Sequence, residues 1–390
     1  MRLVEAVRKR FWVLLIGTGL ALSPIHNLWL TDLATTARGE TLFFLPAFGY
    51  LLLIMGTGMF VLHNWERVKA AGFGDKRIWI PLLVIVGVIG LSGITIGGSI
   101  QDKIAPAGMG VALFTLYLVA KVLGKELFYP LAIGAAVGSL GIIIHQAVYP
   151  GTPTGGFIFE QNFDIATGYI LLGVALFVHR WRWQLVSLAI VALLMSGAPE
   201  AVFALGVVAL FGLFRKDWSK RAVPVAIVLA LLLTMGLASG VLRDTYSYVR
   251  SSLTQEPTAH YIDPDGASRL VSPLAIRWLV IRDTMADIRP LGEGYGLTNF
   301  RPTTVHNVPL ILVQQLGWPG ILAALAWLWV TVRCLVKTRW KYAWVAVVAL
   351  SVFDHYLWTQ LAPYFWCLVG VSVAGSTLEG ENDLVFRRAN

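Results

Sequence analysis

Three arginines, one histidine and a few carboxylates and amides hold most of the chemistry this chain offers. Arg269, Arg277 and Arg282 fall in a stretch, residues 243–305, that contains no lysine. A guanidinium presents paired planar donors, so arginine in place of lysine suits bidentate recognition of a diphosphate; solvated, inert arginines are the alternative. His306 and Asn307 open an apolar run directly after Thr303, Thr304 and Val305. An imidazole can take a hydroxyl proton near neutral pH, which makes His306 a candidate general base; a His–Asn pair at a helix start can also simply cap it. Glu160, Asn162, Glu200 and Asp354 each border an apolar run, and Glu160, Glu200 and Asp354 are candidates to orient the histidine or a bound hydroxyl. Asp354 and His355 form either a functional intramembrane pair or a hinge wetted at the interface.

Gly292-Glu293-Gly294-Tyr295-Gly296 is a glycine-rich turn. A phosphate loop follows a strand and opens a helix within a βαβ unit, and without that context the run reads as a tight bend. Asp263-Pro264-Asp265 has the spacing of a metal-binding Asp-x-Asp, but the central proline and the following Gly266 favour a turn. No metal site or cofactor is expected. The two cysteines, Cys334 and Cys367, make neither a disulfide framework nor a zinc site.

The elements that must position these residues are written in the composition. The 390 residues are 57% hydrophobic and 14% charged, with a mean hydropathy of +0.70. Water-facing surfaces need more charge than that, whereas lipid-facing ones need almost none. Apolar runs predict spans at roughly 11–30, 41–62, 78–98, 108–122, 127–147, 164–179, 183–196, 201–214, 222–242, 306–332, 342–358 and 363–376. The expectation is an all-α polytopic membrane bundle of about twelve helices, with a large extracytoplasmic loop between spans 9 and 10. The first run follows Arg2, Arg8, Lys9 and Arg10 and is too long for a usual signal-peptide core, so it reads as a retained span.

Net charge is +9, but its placement argues against nucleic acid as a partner. With the N-terminus inside, the span assignment leaves nine of the 31 basic residues outside: Arg38, Lys103, Arg243, Arg250, Arg269, Arg277, Arg282, Arg289 and Arg301. The other 22 fall inside, as the positive-inside rule requires, and both termini are then cytoplasmic. The chain divides into residues 1–242 (spans 1–9), 243–305 (outer loop), 306–376 (spans 10–12) and 377–390 (cytoplasmic tail). In the outer loop, Ser272-Pro273 is a good helix start, and apolar residues from Leu274 to Ile288 recur at helical spacing. They predict a helix lying on or near the membrane.

Taken in order, the second half of the chain resembles the O-antigen ligase and polymerase superfamily. The resemblance rests on Ser268-Arg269-Leu270, Arg277-Trp278, Pro290-Leu291-Gly292-Glu293-Gly294-Tyr295-Gly296 with Asn299-Phe300, His306-Asn307 and Leu316-Gly317-Trp318-Pro319-Gly320. It is clearest over about residues 268–325, and weaker at Glu160-Gln161-Asn162 and around Asp354. It implies a metal-independent glycosyltransferase of the inner (cytoplasmic) membrane with its site on the extracytoplasmic face. The donor would be a polyprenyl-diphosphate-linked glycan and the acceptor a hydroxyl of a glycan, lipid or protein, so ligase, polymerase and protein O-oligosaccharyltransferase are all open. The resemblance also implies a catalytic role for His306, as base towards the acceptor or as a ligand of the diphosphate, with diphosphate binding by Arg269, Arg277 and Arg282, and supporting roles for Glu160, Asn162, Glu200, Tyr295, Asn307 and Asp354. Family members often carry a Ser-Arg-Gly-like turn before the eighth span. Here that stretch is Ser196-Gly197-Ala198-Pro199-Glu200, so either Arg269 and Arg277 supply the missing charge or the donor is bound differently. A transporter or flippase of lipid-linked glycans is the rival from another class. It would place polar residues along the whole path, whereas here they collect on the outer side.

Overall fold

The computed structural model describes residues 2–24, 47–72, 75–94, 100–150, 155, 163–177, 184–196, 198–213, 250, 254, 257, 259–262, 268–271, 273–286, 288–292, 294–295, 307–353 and 355–374. Their helices are α1 (Arg2–Leu22), α2 (Ala47–His63), α3 (Trp65–Ala71), α4 (Lys76–Ser92), α5 (Ile100–Leu123), α6 (Tyr129–Val148), α7 (Phe163–Phe177), α8 (Gln184–Met195) and α9 (Pro199–Leu213). A two-stranded hairpin follows, β1 (Ala259–Ile262) and β2 (Ser268–Val271), and then α10 (Pro273–Ala286). The bundle resumes with α11 (Val308–Leu316), α12 (Trp318–Lys337), α13 (Lys341–Phe353) and α14 (Ala362–Ala374).

Among the described residues, the apolar runs become helices close to where the sequence puts them, because a backbone without water must satisfy its polar groups internally. Local chemistry sets the ends. The Asp75 carboxylate caps α4 by accepting the Arg77 N–H at 2.9 Å. The Asn64 amide bonds back to the Phe60 carbonyl (3.0 Å) where the chain bends by 89° from α2 into α3. Pro130 starts α6 after the short 3-10 turn Gly124–Phe128.

Two expectations need correction, and a third is met only in part. The chain is not purely helical, since β1 pairs antiparallel with β2, from Ala259 opposite Val271 to Ile262 opposite Ser268. Asp263-Pro264-Asp265 lies between these strands and outside the described residues. The run 306–332 is not one helix: it breaks at Gly317 into α11 and α12. Finally, among the described residues only Lys103–Val148 and Trp318–Lys337 are long and apolar enough to cross a membrane, or three stretches if α2 and α3 count as one bent span. Several other expected spans are short: α8 has 12 residues, a rise of about 18 Å against a hydrocarbon core of about 30 Å. The expected ninth span lies outside the described residues.

One contiguous apolar core runs from Trp12 and Ile16 on α1 to Trp366 on α14, with Trp327, Trp344, Trp358 and Trp366 almost fully enclosed. The outward faces are apolar as well: Leu51, Ile54 and Met55 on α2 and Leu322, Leu325 and Val332 on α12 are exposed. Contiguous apolar surface of this kind is stable against lipid rather than water, which marks the chain as membrane-associated.

Residues that the charge pattern places inside do meet at one end of the bundle. Arg333 on α12 grips the Asp75 carboxylate with Nε at 2.9 Å and a terminal nitrogen at 2.5 Å. Trp329 donates to the Arg77 carbonyl (2.8 Å), Lys121 donates to the carbonyls of Ala71 and Gly72, and Lys9 pairs with Glu126 at 3.3 Å. Burial alone would raise the Asp75 pKa. The hydrogen bonds from the Arg333 side chain and the Arg77 backbone, with both arginine charges, outweigh it and hold the carboxyl below its ordinary value.

Candidate functional site

At the other end of the bundle, two glycine-bearing segments lock together backbone against backbone. Trp318 donates its N–H to the Pro290 carbonyl (3.0 Å), and Gly294 donates to the Gln315 carbonyl (2.9 Å). Gly292 has φ +78° and Gly317 φ +67°, conformations that side chains disfavour. Space forbids a side chain as well: a Cβ on Gly292 would lie 2.5 Å from Gly317 N, and one on Gly317 would lie 2.5 Å from the Pro290 carbonyl oxygen. The break in the expected tenth span therefore has a cause. The chain turns at Gly317 so that the Arg289–Tyr295 segment can dock into the gap between α11 and α12.

Tyr295 anchors that segment. Its N–H donates to the Ser92 hydroxyl at the end of α4 (3.2 Å), and its ring meets Trp358 edge-on at 5.2 Å. Trp358, in the turn between α13 and α14, donates in turn to the Gln315 side-chain oxygen at 2.9 Å. Burial pushes the Tyr295 phenol above its ordinary pKa, so it is neutral over the physiological range.

The arginine-bearing elements pack beside this lock. On α10, Val280 is buried against Ile276, Leu279, Val271 of β2 and Leu310 of α11. Arg269 is exposed on β2 opposite Tyr261, and Arg277 lies within α10. Arg282 is half-exposed and already engaged by the adjacent Asp283 carboxylate at 2.7 Å. Trp278 and Met285 are exposed, so the apolar residues of α10 divide between an inner and an outer face. Asn307 caps α11, its side-chain oxygen accepting the Leu310 N–H (3.3 Å), and it donates to the Val352 carbonyl near the end of α13 (3.2 Å). Glu200 lies in the first turn of α9. His306, Glu160, Asn162 and Asp354 lie outside the described residues.

The structure thus brings the hairpin and α10 onto α11, and locks the Tyr295 segment between α11 and α12. It also adds residues that sequence reasoning missed: Ser92, Gln315 and Trp358. Gln314-Gln315 at the end of an apolar helix was the available signal, since buried amides need partners. Among the described residues no three His, Cys, Asp or Glu side chains converge as metal ligands would. No family model matches the chain, and no curated protein matches it in sequence.

Proposed function

We propose that this chain is a membrane glycosyltransferase of the O-antigen ligase type, with about twelve spans and its site on the extracytoplasmic face of the inner membrane. The observation that carries the reading is the interlock of Pro290–Tyr295 with the Gly317 break, beside an α10 that bears Arg277. The segments that share family-like motifs in sequence are mutual packing partners at the end opposite the Asp75–Arg333 clasp.

In this reading the donor is a polyprenyl-diphosphate-linked glycan, and Arg269 and Arg277 hold its diphosphate. Arg282, already paired with Asp283, contributes less. The acceptor hydroxyl oxygen attacks the anomeric carbon while the bond from that carbon to the diphosphate oxygen breaks. The lipid diphosphate leaves with the bonding pair, and His306 takes the hydroxyl proton. Guanidinium charge stabilises the departing diphosphate, which has most to gain from it in the transition state. Asn307 sets the start of the helix that follows His306, and Tyr295 fixes the loop beside it. Glu160, Asn162, Glu200 and Asp354 are the groups available to orient acceptor or histidine.

The test is transfer by purified protein supplied with a polyprenyl-diphosphate glycan and a panel of glycan, lipid and protein acceptors. The reading expects lipid diphosphate release coupled to a new glycoconjugate, and loss of both in His306→Ala with folding and insertion retained. Tight donor binding without turnover across the panel would instead favour a transporter.

A further inference from the structure

At the end of the bundle that carries the Asp75–Arg333 clasp, the first turn of α4 meets α12 on the lipid-facing side. Pro81 lies one helical turn beyond Arg77 and has no N–H, so the Arg77 carbonyl loses its usual partner within α4. The Trp329 indole takes that place, donating its Nε1–H to the Arg77 carbonyl at 2.8 Å. Trp329 is nevertheless exposed, and so are Leu325 and Val332 beside it on α12. On α4, Arg77, Ile80 and Val84 follow one another at helical spacing, and all three are exposed. Two packed helices thus turn apolar faces to lipid side by side, and those faces meet at Arg77.

Charge at this junction is unbalanced. Lys76 and Arg77 are both exposed. The carboxylate that precedes them, Asp75, is gripped by Arg333 and caps α4. Neighbouring α3 carries Glu66 against Arg67 and Lys69, so it adds positive charge rather than cancelling it. Val332 and Val336 continue the exposed apolar face of α12 about one and two turns beyond Trp329. Arg77 therefore lies beside hydrocarbon-facing surface, not clear of it, and a guanidinium in that position calls for an anion.

We propose that the α4–α12 junction binds one anionic phospholipid, its phosphate held by Lys76 and Arg77 and its acyl chains lying along Ile80 and Val84 of α4 and Leu325 of α12. The guanidinium fork matches two phosphate oxygens, and the Lys76 ammonium adds a point charge. An indole such as that of Trp329 suits the boundary between headgroup and acyl chain. Basic clusters beside a membrane attract anionic headgroups, and this cluster belongs to the side that the charge pattern puts inside. The site is independent of the transferase reading, because it lies at the opposite end of the bundle from the Gly317 interlock.

The experiment titrates the full-length protein in detergent with phosphatidylglycerol and reads the affinity of the first bound lipid by native mass spectrometry. Phosphatidylglycerol should bind roughly tenfold or more tightly than phosphatidylcholine with the same acyl chains. Lys76→Gln/Arg77→Gln should weaken its binding by roughly tenfold or more, since two cations are lost. Arg10→Gln/Lys125→Gln removes the same charge from exposed positions flanking the Lys9–Glu126 pair at the same end, and should leave binding within about twofold of wild type. Equal binding of the two lipids, equal loss in the two double variants, or no loss in Lys76→Gln/Arg77→Gln overturns the proposal. So does displacement of the lipid by an equal concentration of glycerol phosphate, which would mark a site for free anions instead.

Discussion

Replacing Gly317 by alanine puts a side chain where the structure has neither conformational nor physical room. The residue sits at φ +67°, ψ −150°, close to the region essentially reserved for glycine, which costs about 1–3 kcal/mol for any other residue. The added Cβ would lie 2.5 Å from the Pro290 carbonyl oxygen and 2.6 Å from that of Arg289. Relief requires backbone movement, and overpacking of this kind costs about 1–3 kcal/mol. The two effects share one remedy, withdrawal of the 289–295 segment, so about 3 kcal/mol is the expected total. Withdrawal also breaks the bonds from Trp318 to Pro290 and from Gly294 to Gln315. The assay is amide hydrogen exchange in nanodiscs, with protection of Gly294 and Trp318 as the readout. At about 1.36 kcal/mol per factor of ten, protection should fall roughly a hundredfold at these two amides. The α4 control Gly87→Ala, where a Cβ meets nothing, should leave them unchanged. Wild-type protection in Gly317→Ala would refute the interlock as the reason for the helix break.

Other residues give further tests. Trp358→Phe keeps the ring against Tyr295 but leaves the fully buried Gln315 oxygen unpaired, and should cost about 1–3 kcal/mol in denaturation in detergent. Asp75→Asn retains a capping side chain but loses the charge facing Arg333; a loss of about 1 kcal/mol, smaller at high salt, is expected in the same assay. Because the folded Asp75 pKa is lowered, its stabilisation is fully present above the unfolded value of about 3.9 and disappears as pH falls through the lower folded value. Stability differences between wild type and Asp75→Asn should accordingly vanish in strong acid and persist at neutral pH. Arg277→Lys preserves charge but not the planar fork, so glycan transfer should fall at least tenfold; wild-type transfer would remove bidentate diphosphate binding from the proposal.

Much of the helical layout of the described residues was legible because apolar runs report burial locally. The basic residues assigned inside include Lys9, Arg77, Lys121 and Arg333, and these share one end of the bundle. Contacts between distant segments were not legible. Nothing near Gly317 in sequence signals that Arg289, Pro290 and Gly292 close around it, so 306–332 reads as one apolar run. The hairpin was hidden for another reason: Ala259–Ile262 and Ser268–Val271 are only four residues each, too short for a period of two to stand out. At the site, Tyr295 was visible through its glycines, and Asn307 through its place at the start of an apolar run. Ser92 and Trp358 carried no local mark, because their roles come from partners 203 and 43 residues away in the chain.

The central claim, glycan transfer at the outer face, is tested most directly in sealed right-side-out vesicles holding the protein and a polyprenyl-diphosphate glycan in the outer leaflet. The account predicts that adding an acceptor outside releases lipid diphosphate and forms glycoconjugate in equal amounts, and that His306→Ala abolishes both. Donor that crosses the bilayer intact, with neither diphosphate release nor glycoconjugate, would contradict it.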